Sequence, residues 1–183
     1  MTRLSMATVA TLLLTITSIG CSSTPDTVLP ASTSQPLVVF PVRHGEKSDR
    51  GKDPQLSVAG RERAVILANI LRNAKIEYIH SSDYIRTRET AAPTAAGYGL
   101  EVELYDPRDL PALVEILRKL GSRHLVVGHS TTTPSMVELL GGEPNSAINE
   151  DEFDRLYIVT IGRDGAASSV MINYGEPYHT GQS

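Results

Sequence analysis

Apolar runs and helical repeats alternate along most of this chain. Leu37-Val38-Val39-Phe40-Pro41-Val42 predicts a buried strand, with no polar position over its length. Ser57 is placed to cap a helix in which Ala64, Leu67, Ala68 and Leu71 follow i, i+3, i+4, i+7 spacing. Ile76–His80 predicts a short second strand. A helix from about Tyr84 presents Ala91, Ala92 and Ala95 as a small packing face, and Val102–Tyr105 predicts a third strand. Leu113, Ile116, Leu117 and Leu120 repeat the helical spacing up to Gly121, a natural C-terminal stop. Leu125–Val127 is central-strand material. Pro134 opens another helix, which carries Met136, Leu139 and Leu140 and ends at Gly141-Gly142. Leu156–Ile161 and Ser168–Asn173, split by Arg163-Asp164-Gly165, predict a terminal hairpin. The alternation predicts an α/β fold: a three-layer sandwich with a mostly parallel central sheet and helices on both faces.

The first 36 residues stand outside this pattern. Met1–Arg3 is short and positive, and Leu4–Gly20 is uncharged and rich in Leu, Ile, Val, Ala and Thr. This describes an export signal over residues 1–20 and is too interrupted by Thr and Ser for a membrane span. Ser18-Ile19-Gly20-Cys21 resembles a bacterial lipobox, with Ser18 where leucine is usual. The resemblance implies lipidation of Cys21 at the start of the mature chain. Residues 21–36, rich in Ser, Thr and Pro with Asp26 the only charge, read as a tether. The folded domain is expected over residues 37–183. These readings predict an exported protein of the periplasm or cell envelope, anchored to a membrane through Cys21. As the only cysteine, Cys21 has no internal disulfide partner.

Composition removes one class of partner. The chain of 183 residues carries a net charge of −4 with no Lys/Arg block, so no nucleic-acid partner is expected. Aromatic content is 5% without tryptophan, which predicts an aliphatic core.

The candidate chemistry lies where two predicted strands end. Arg43-His44-Gly45-Glu46 follows the first strand, and Gly128-His129-Ser130 follows Leu125–Val127. In open α/β sheets, ligands bind at the carboxyl ends of the strands. A neutral imidazole there can act as a nucleophile, and arginine offers a planar fork for phosphate oxygens. Arg86 follows the second strand and adds a further cation. Gly45 permits close approach of backbone to a ligand.

These segments are similar to the motifs of the histidine phosphatase superfamily, the group that includes the cofactor-dependent phosphoglycerate mutases. Arg43-His44-Gly45-Glu46, Leu56-Ser57-x-x-Gly60-x-x-Arg63-Ala64, Ser81 through Ala91, and Val126–Ser130 occur in the family's order. The resemblance implies that His44 is the nucleophile and that Arg43, Arg86 and His129 form the phosphate pocket, with Gly45 and Glu46 beside the substrate. It implies a metal-independent phosphomonoester hydrolase with a phosphohistidine intermediate and no cofactor. Only 42 residues separate Arg86 from His129, too few for the long insertion of glycolytic mutases, so phosphatase is expected over mutase. The general acid is expected at Asp106, after the third strand, with Glu46 as the rival. Asp109 is expected to cap the next helix instead. Ser81 and Thr90 are read as structural, as are His80 and His124.

Two other readings use the same residues. A binding protein could hold phosphate groups without turnover. A serine α/β-hydrolase would use Ser130 with Asp151 or Asp154 and His179, although Thr132 stands where its nucleophile elbow needs glycine. A phosphorylated small molecule, an envelope component or a phosphoprotein are the candidate substrates.

Overall fold

The computed structural model describes residues 36–179, in which six strands and four helices alternate. In chain order they are β1 (Leu37–Arg43), α1 (Val58–Leu71), β2 (Tyr78–Ser82), α2 (Ile85–Tyr98), β3 (Val102–Tyr105), α3 (Leu110–Leu120), β4 (Arg123–Gly128), α4 (Thr132–Leu139), β5 (Arg155–Ile161) and β6 (Ala167–Asn173). The signal, Cys21 and nearly all of the tether lie outside the described residues. Among those residues no helix is long and apolar enough to cross a membrane.

The strands form one sheet in the order β3-β2-β4-β1-β5-β6. The first four strands in that order are mutually parallel, while β5 and β6 are antiparallel additions. Two aliphatic cores lie on opposite faces. One packs Val39, Val126 and Val159 against Leu113 and Leu117 of α3 and Met136 and Val137 of α4. The other packs Val38, Phe40 and Leu125 against Leu67 and Leu71 of α1 and Ala91 and Ala95 of α2. The expected three-layer sandwich is therefore the observed one. Full burial of a leucine such as Leu67 contributes about 1.5–3 kcal/mol.

Local signals placed most elements. The Ser57 side chain accepts from Gly60 N at 3.0 Å at the start of α1. Asp109 caps α3 by accepting from Ala112 N at 3.1 Å, and α3 stops at Gly121. The terminal hairpin closes with Gly162 N donating to Ala166 O at 2.8 Å, with Gly165 in the left-handed region.

Three details differ from expectation. Strand β2 starts and ends two residues later than predicted, so Ser81 and Ser82 are buried strand residues. Their hydroxyls are hydrogen-bonded, which makes polar burial tolerable. In α2 the buried stripe is Thr87, Thr90, Ala91, Thr94 and Ala95, and Ala92 faces out. In α3 the core face is Leu110, Leu113, Val114 and Leu117, which leaves Ile116 and Leu120 exposed. The helix begins at Leu110, and the apolar series that starts there outcompetes the one through Ile116.

Candidate active site

Register brings the two histidines together. Parallel pairing of β1 with β4 sets Arg43 opposite Gly128, so His44 and His129 leave the sheet side by side. His44 N donates to Gly128 O at 3.0 Å, and the two rings meet edge-on with centroids 5.4 Å apart. Strand β2 pairs with the other side of β4, which puts Ser82 within reach of His129. Arg86 follows in the first turn of α2.

The hydrogen bonds of His44 define its tautomer. Nδ1 lies 2.7 Å from Gly45 O, and a carbonyl only accepts, so Nδ1 carries the proton. Nε2 then keeps its lone pair. Burial pushes the ring's pKa down to about 3, helped by the nearby Arg43, His129 and Arg86 charges and opposed by the Gly45 carbonyl. The imidazole is neutral at physiological pH, the state that a nitrogen nucleophile requires.

Arg43 is buried and divides its donors. Nη1 donates to Asn149 O and Glu152 O, both at 2.7 Å, and Nη2 donates to Glu150 O at 2.6 Å. Its Nε is buried without a partner. A guanidinium has five N–H groups, so Nε–H and one Nη2–H remain, and these form one bidentate edge. Burial lowers its pKa to about 10, against the pull of Glu150, Asp151 and Glu152, and the group stays charged. Phe153 lies flat beneath it at 4.0 Å. The loop that supplies the three carbonyls is itself pinned. Arg155 donates to Ser146 O at 2.7 Å and pairs with Glu152, while Tyr157 donates to Pro144 O at 2.8 Å.

Arg86 bridges the other wall. Nη1 is 3.4 Å from Asp53 Oδ1, and Nη2 makes a long 3.5 Å contact to His129 Nδ1. Its guanidinium stacks over Tyr84 at 4.4 Å, and its buried Nε also lacks a partner. His129 Nε2 lies 2.9 Å from Ser82 Oγ, and Ser82 Oγ can donate onward to Thr87 Oγ1 at 3.2 Å. Arginine only donates, so the neutral ring carries its proton on Nε2 and donates it to Ser82. Burial, then Arg86 and Arg43, hold His129 down to about 4. Two orphaned Nε–H groups beside two neutral imidazoles suit an incoming oxyanion.

Other candidates are used differently from expectation. The Gly45 N–H is donated to Thr90 Oγ1 at 3.0 Å and is not offered to a ligand. What Gly45 permits is contact with α1, since a Cβ there would lie 2.8 Å from Gly60 O. A Cβ on Gly60 would in turn press into the Glu46 carbonyl. Gly60→Ala is therefore expected to destabilise the protein by about 1–3 kcal/mol, because backbone rather than a side-chain end must yield. Chemical denaturation measures it; an unchanged midpoint would show that α1 and the His44 loop can separate freely. Glu46 Oε1 accepts from Arg63 Nε at 2.9 Å and Nη2 at 2.7 Å, and Oε2 is buried without a partner.

The geometry weighs against Asp106 as general acid. It is exposed, and both carboxylate oxygens are held by Arg108 at 2.9 Å. Those hydrogen bonds lower its pKa to about 2, so it carries no proton to give near neutrality. The Ser130 triad is not assembled either. Asp154 is buried and accepts from Asn173 Nδ2 and Tyr178 N, both at 3.0 Å, and among the described residues no hydrogen bond links Ser130 to Asp151, Asp154 or His179.

Sequence reading singled out neither Asp53 nor Phe153. Asp53 accepts from Ile85 N at 3.0 Å and so caps α2 from 32 residues away, where Tyr84 gives no side-chain cap. Ser82 and Tyr84 were inside a recognised segment, but nothing local showed that they contact His129.

Acid sensitivity follows from the neutral histidines. His80 is also pushed down, to about 4, by burial and by His124, itself lowered by burial. The unfolded chain binds protons below about pH 6.5, whereas the native rings resist them. Stability should therefore be steady above pH 7 and fall as pH drops from 6.5 toward 4. Thermal melts at pH 7.5, 5.5 and 4.5 should show a progressive decline in Tm. A flat series would mean that these rings are not buried in the neutral form.

Comparison with known proteins agrees with this architecture. The model of the histidine phosphatase superfamily (branch 1) matches residues 39–110. The chain is similar to the protein histidine phosphatase SixA complexed with tungstate, with 21% identity and a TM-score of 0.61 over 75% of this chain and 97% of that one. It is similar to a mycobacterial glucosyl-3-phosphoglycerate phosphatase at 14% identity and TM-score 0.57, over 77% and 98%. It also resembles a phosphoserine phosphatase of Entamoeba histolytica at 16% identity and TM-score 0.57, over 76% and 97%. No match was found among curated protein sequences. The fold is that of branch 1 of the histidine phosphatase superfamily.

Proposed function

We propose that this chain, on a histidine phosphatase fold, hydrolyses phosphomonoesters through a phosphohistidine on His44, without a metal. The observation that carries this reading is the neutral His44 ring, pinned by Nδ1–H to Gly45 O with Nε2 free beside two arginines. His44 Nε2 attacks phosphorus as the P–O bond to the leaving group breaks. Water then attacks phosphorus as the N–P bond breaks, giving a proton to the neutral His129, which releases inorganic phosphate and restores the His44 imidazole. The open edge of Arg43 and the Nε–H of Arg86 hold equatorial oxygens as charge spreads over them. Burial and the two arginines keep His129 neutral in the empty pocket; a bound dianion draws the Arg86 Nη2 donor onto its own oxygens, which leaves Nδ1 to take a proton from solvent while Ser82 holds Nε2. That proton serves the departing oxygen.

A bound phosphate alone would not need a free nucleophile, which favours turnover over simple capture. Relatives by fold are named as a protein histidine phosphatase, a glucosyl-3-phosphoglycerate phosphatase and a phosphoserine phosphatase. A small phosphorylated metabolite, an envelope component or a phosphoprotein each fit the pocket chemistry. The test is a phosphomonoester panel in the presence of a chelator, with acid quenching of turnover. Release of phosphate and an acid-labile, base-stable phosphoenzyme are expected. Complete loss of activity in chelator with rescue by a divalent cation would overturn metal independence.

We further propose that the protein is exported and held to a membrane by acyl chains on Cys21. Each buried CH₂ contributes about 0.8 kcal/mol, so several chains anchor firmly where one does not. Cys21→Ser should leave the precursor unprocessed or release the protein from membranes. Unchanged maturation and retention in this variant would exclude lipidation.

A further inference from the structure

We infer that the end of the sheet opposite the pocket docks on an anionic phospholipid bilayer. The pocket lies at the carboxyl ends of β1, β2 and β4, and Pro36 marks the opposite end, where the chain joins β1. The turns at that end carry Arg72, Lys75, Arg118, Lys119, Arg123 and Arg163. None of the six has a carboxylate within salt-bridge distance among the described residues. Glu77, Glu101, Glu138, Glu143 and Asp164 are the carboxylates of the same end, five against six cations, so it is slightly net positive on a chain whose net charge is −4.

Two cavities flank Pro36, and neither is lined by a carboxylate. One, of 580 Å³, is mainly apolar, with Phe40, Ile70, Ile158 and Ile172 beside Arg123. The other, of 240 Å³, is edged by Arg118 and Arg163. Exposed Leu120 adjoins Arg118 and Lys119. Apolar surface beside unpaired cations matches the chemistry of acyl chains beside phosphate headgroups. The chain outside the structure favours the same occupant. Cys21 is 15 residues before Pro36, and 15 residues span at most ~50 Å, so an anchor at Cys21 keeps this end near the bilayer. The pocket then faces away from the membrane, open to diffusing substrate.

The four lysines report this orientation, since Lys47 and Lys52 lie in the loop after β1 at the pocket end while Lys75 and Lys119 lie at the proposed docking end. The full chain is mixed with vesicles of phosphatidylcholine alone or with phosphatidylglycerol added. Each lysine's rate of labelling by a membrane-impermeant amine reagent is then measured. On anionic vesicles Lys75 and Lys119 should react about threefold or more slowly, Lys47 and Lys52 should not change, and high salt should remove the difference. Neutral vesicles, which the leader or an acyl anchor can still engage, should give no selective protection. This separates the docking face from the anchor. Arg72→Glu with Arg118→Glu and Arg163→Glu should abolish protection while leaving phosphatase activity in solution unchanged, so the outcome is independent of the catalytic reading. Equal labelling with and without anionic vesicles, or protection of Lys47 and Lys52 instead, would overturn the inference. So would protection that grows with protein concentration in the absence of lipid, which would identify a second copy as the occupant.

Discussion

His44→Ala is expected to lower turnover by roughly 10⁴-fold or more, equivalent to at least about 5.4 kcal/mol at the barrier, and to abolish the phosphoenzyme. In the proposed reaction the side chain supplies the bond-forming atom, and no neighbour is placed to replace it. His129 is the other imidazole of the pocket, but its Nε2–H is committed to Ser82 and its Nδ1 faces Arg86. Removing the His44 ring should not unfold the protein, because its only side-chain hydrogen bond is to the adjacent Gly45 carbonyl. Quenched turnover with labelled substrate measures the intermediate, and thermal melting controls for folding. Undiminished label on His44→Ala would place the nucleophile elsewhere.

Arg86→Lys is expected to cut kcat by roughly 10- to 1,000-fold, about 1.4–4 kcal/mol, with a smaller change in KM. Lysine keeps the charge but loses the fork, and with it the unpartnered Nε–H that can follow a phosphoryl oxygen into the transition state. It also loses the plane that stacks on Tyr84 and the simultaneous reach to Asp53 and His129. Arg88→Lys is the matched control. Arg88 pairs with Asp83 on the exposed side of the same helix and has no hydrogen bond to the pocket, so its loss should stay near that of a surface pair. A larger defect at Arg88 than at Arg86 would show that the wrong arginine has been placed at the phosphate.

Sequence by itself determined the order of strands and helices, the caps at Ser57 and Asp109, the stop at Gly121 and the terminal hairpin. Each of these depends on residues within a few positions of one another, which periodicity and capping chemistry describe directly. It also brought out Arg43, His44, Arg86 and His129, because two histidines at strand ends with arginines nearby form an unusual pattern. It misjudged the face of α3, where two overlapping apolar series competed and only packing into the core shared with α4 and the sheet could choose between Leu110 and Ile116. Tertiary structure alone decided how the pocket is held. The carbonyls of residues 149–152 that fill three donors of Arg43 lie more than 100 residues away from it, and Asp53 reaches α2 across 32. Ser82 meets His129 because β2 pairs with β4, a choice of sheet order that no local pattern states. Asp106 sits at a strand end, as a catalytic carboxylate would, yet Arg108 two residues on takes both of its oxygens. Side-chain hydrogen bonds go to whichever donors the folded backbone brings within about 3 Å, and that distance is set by strand register and loop path rather than by spacing along the chain.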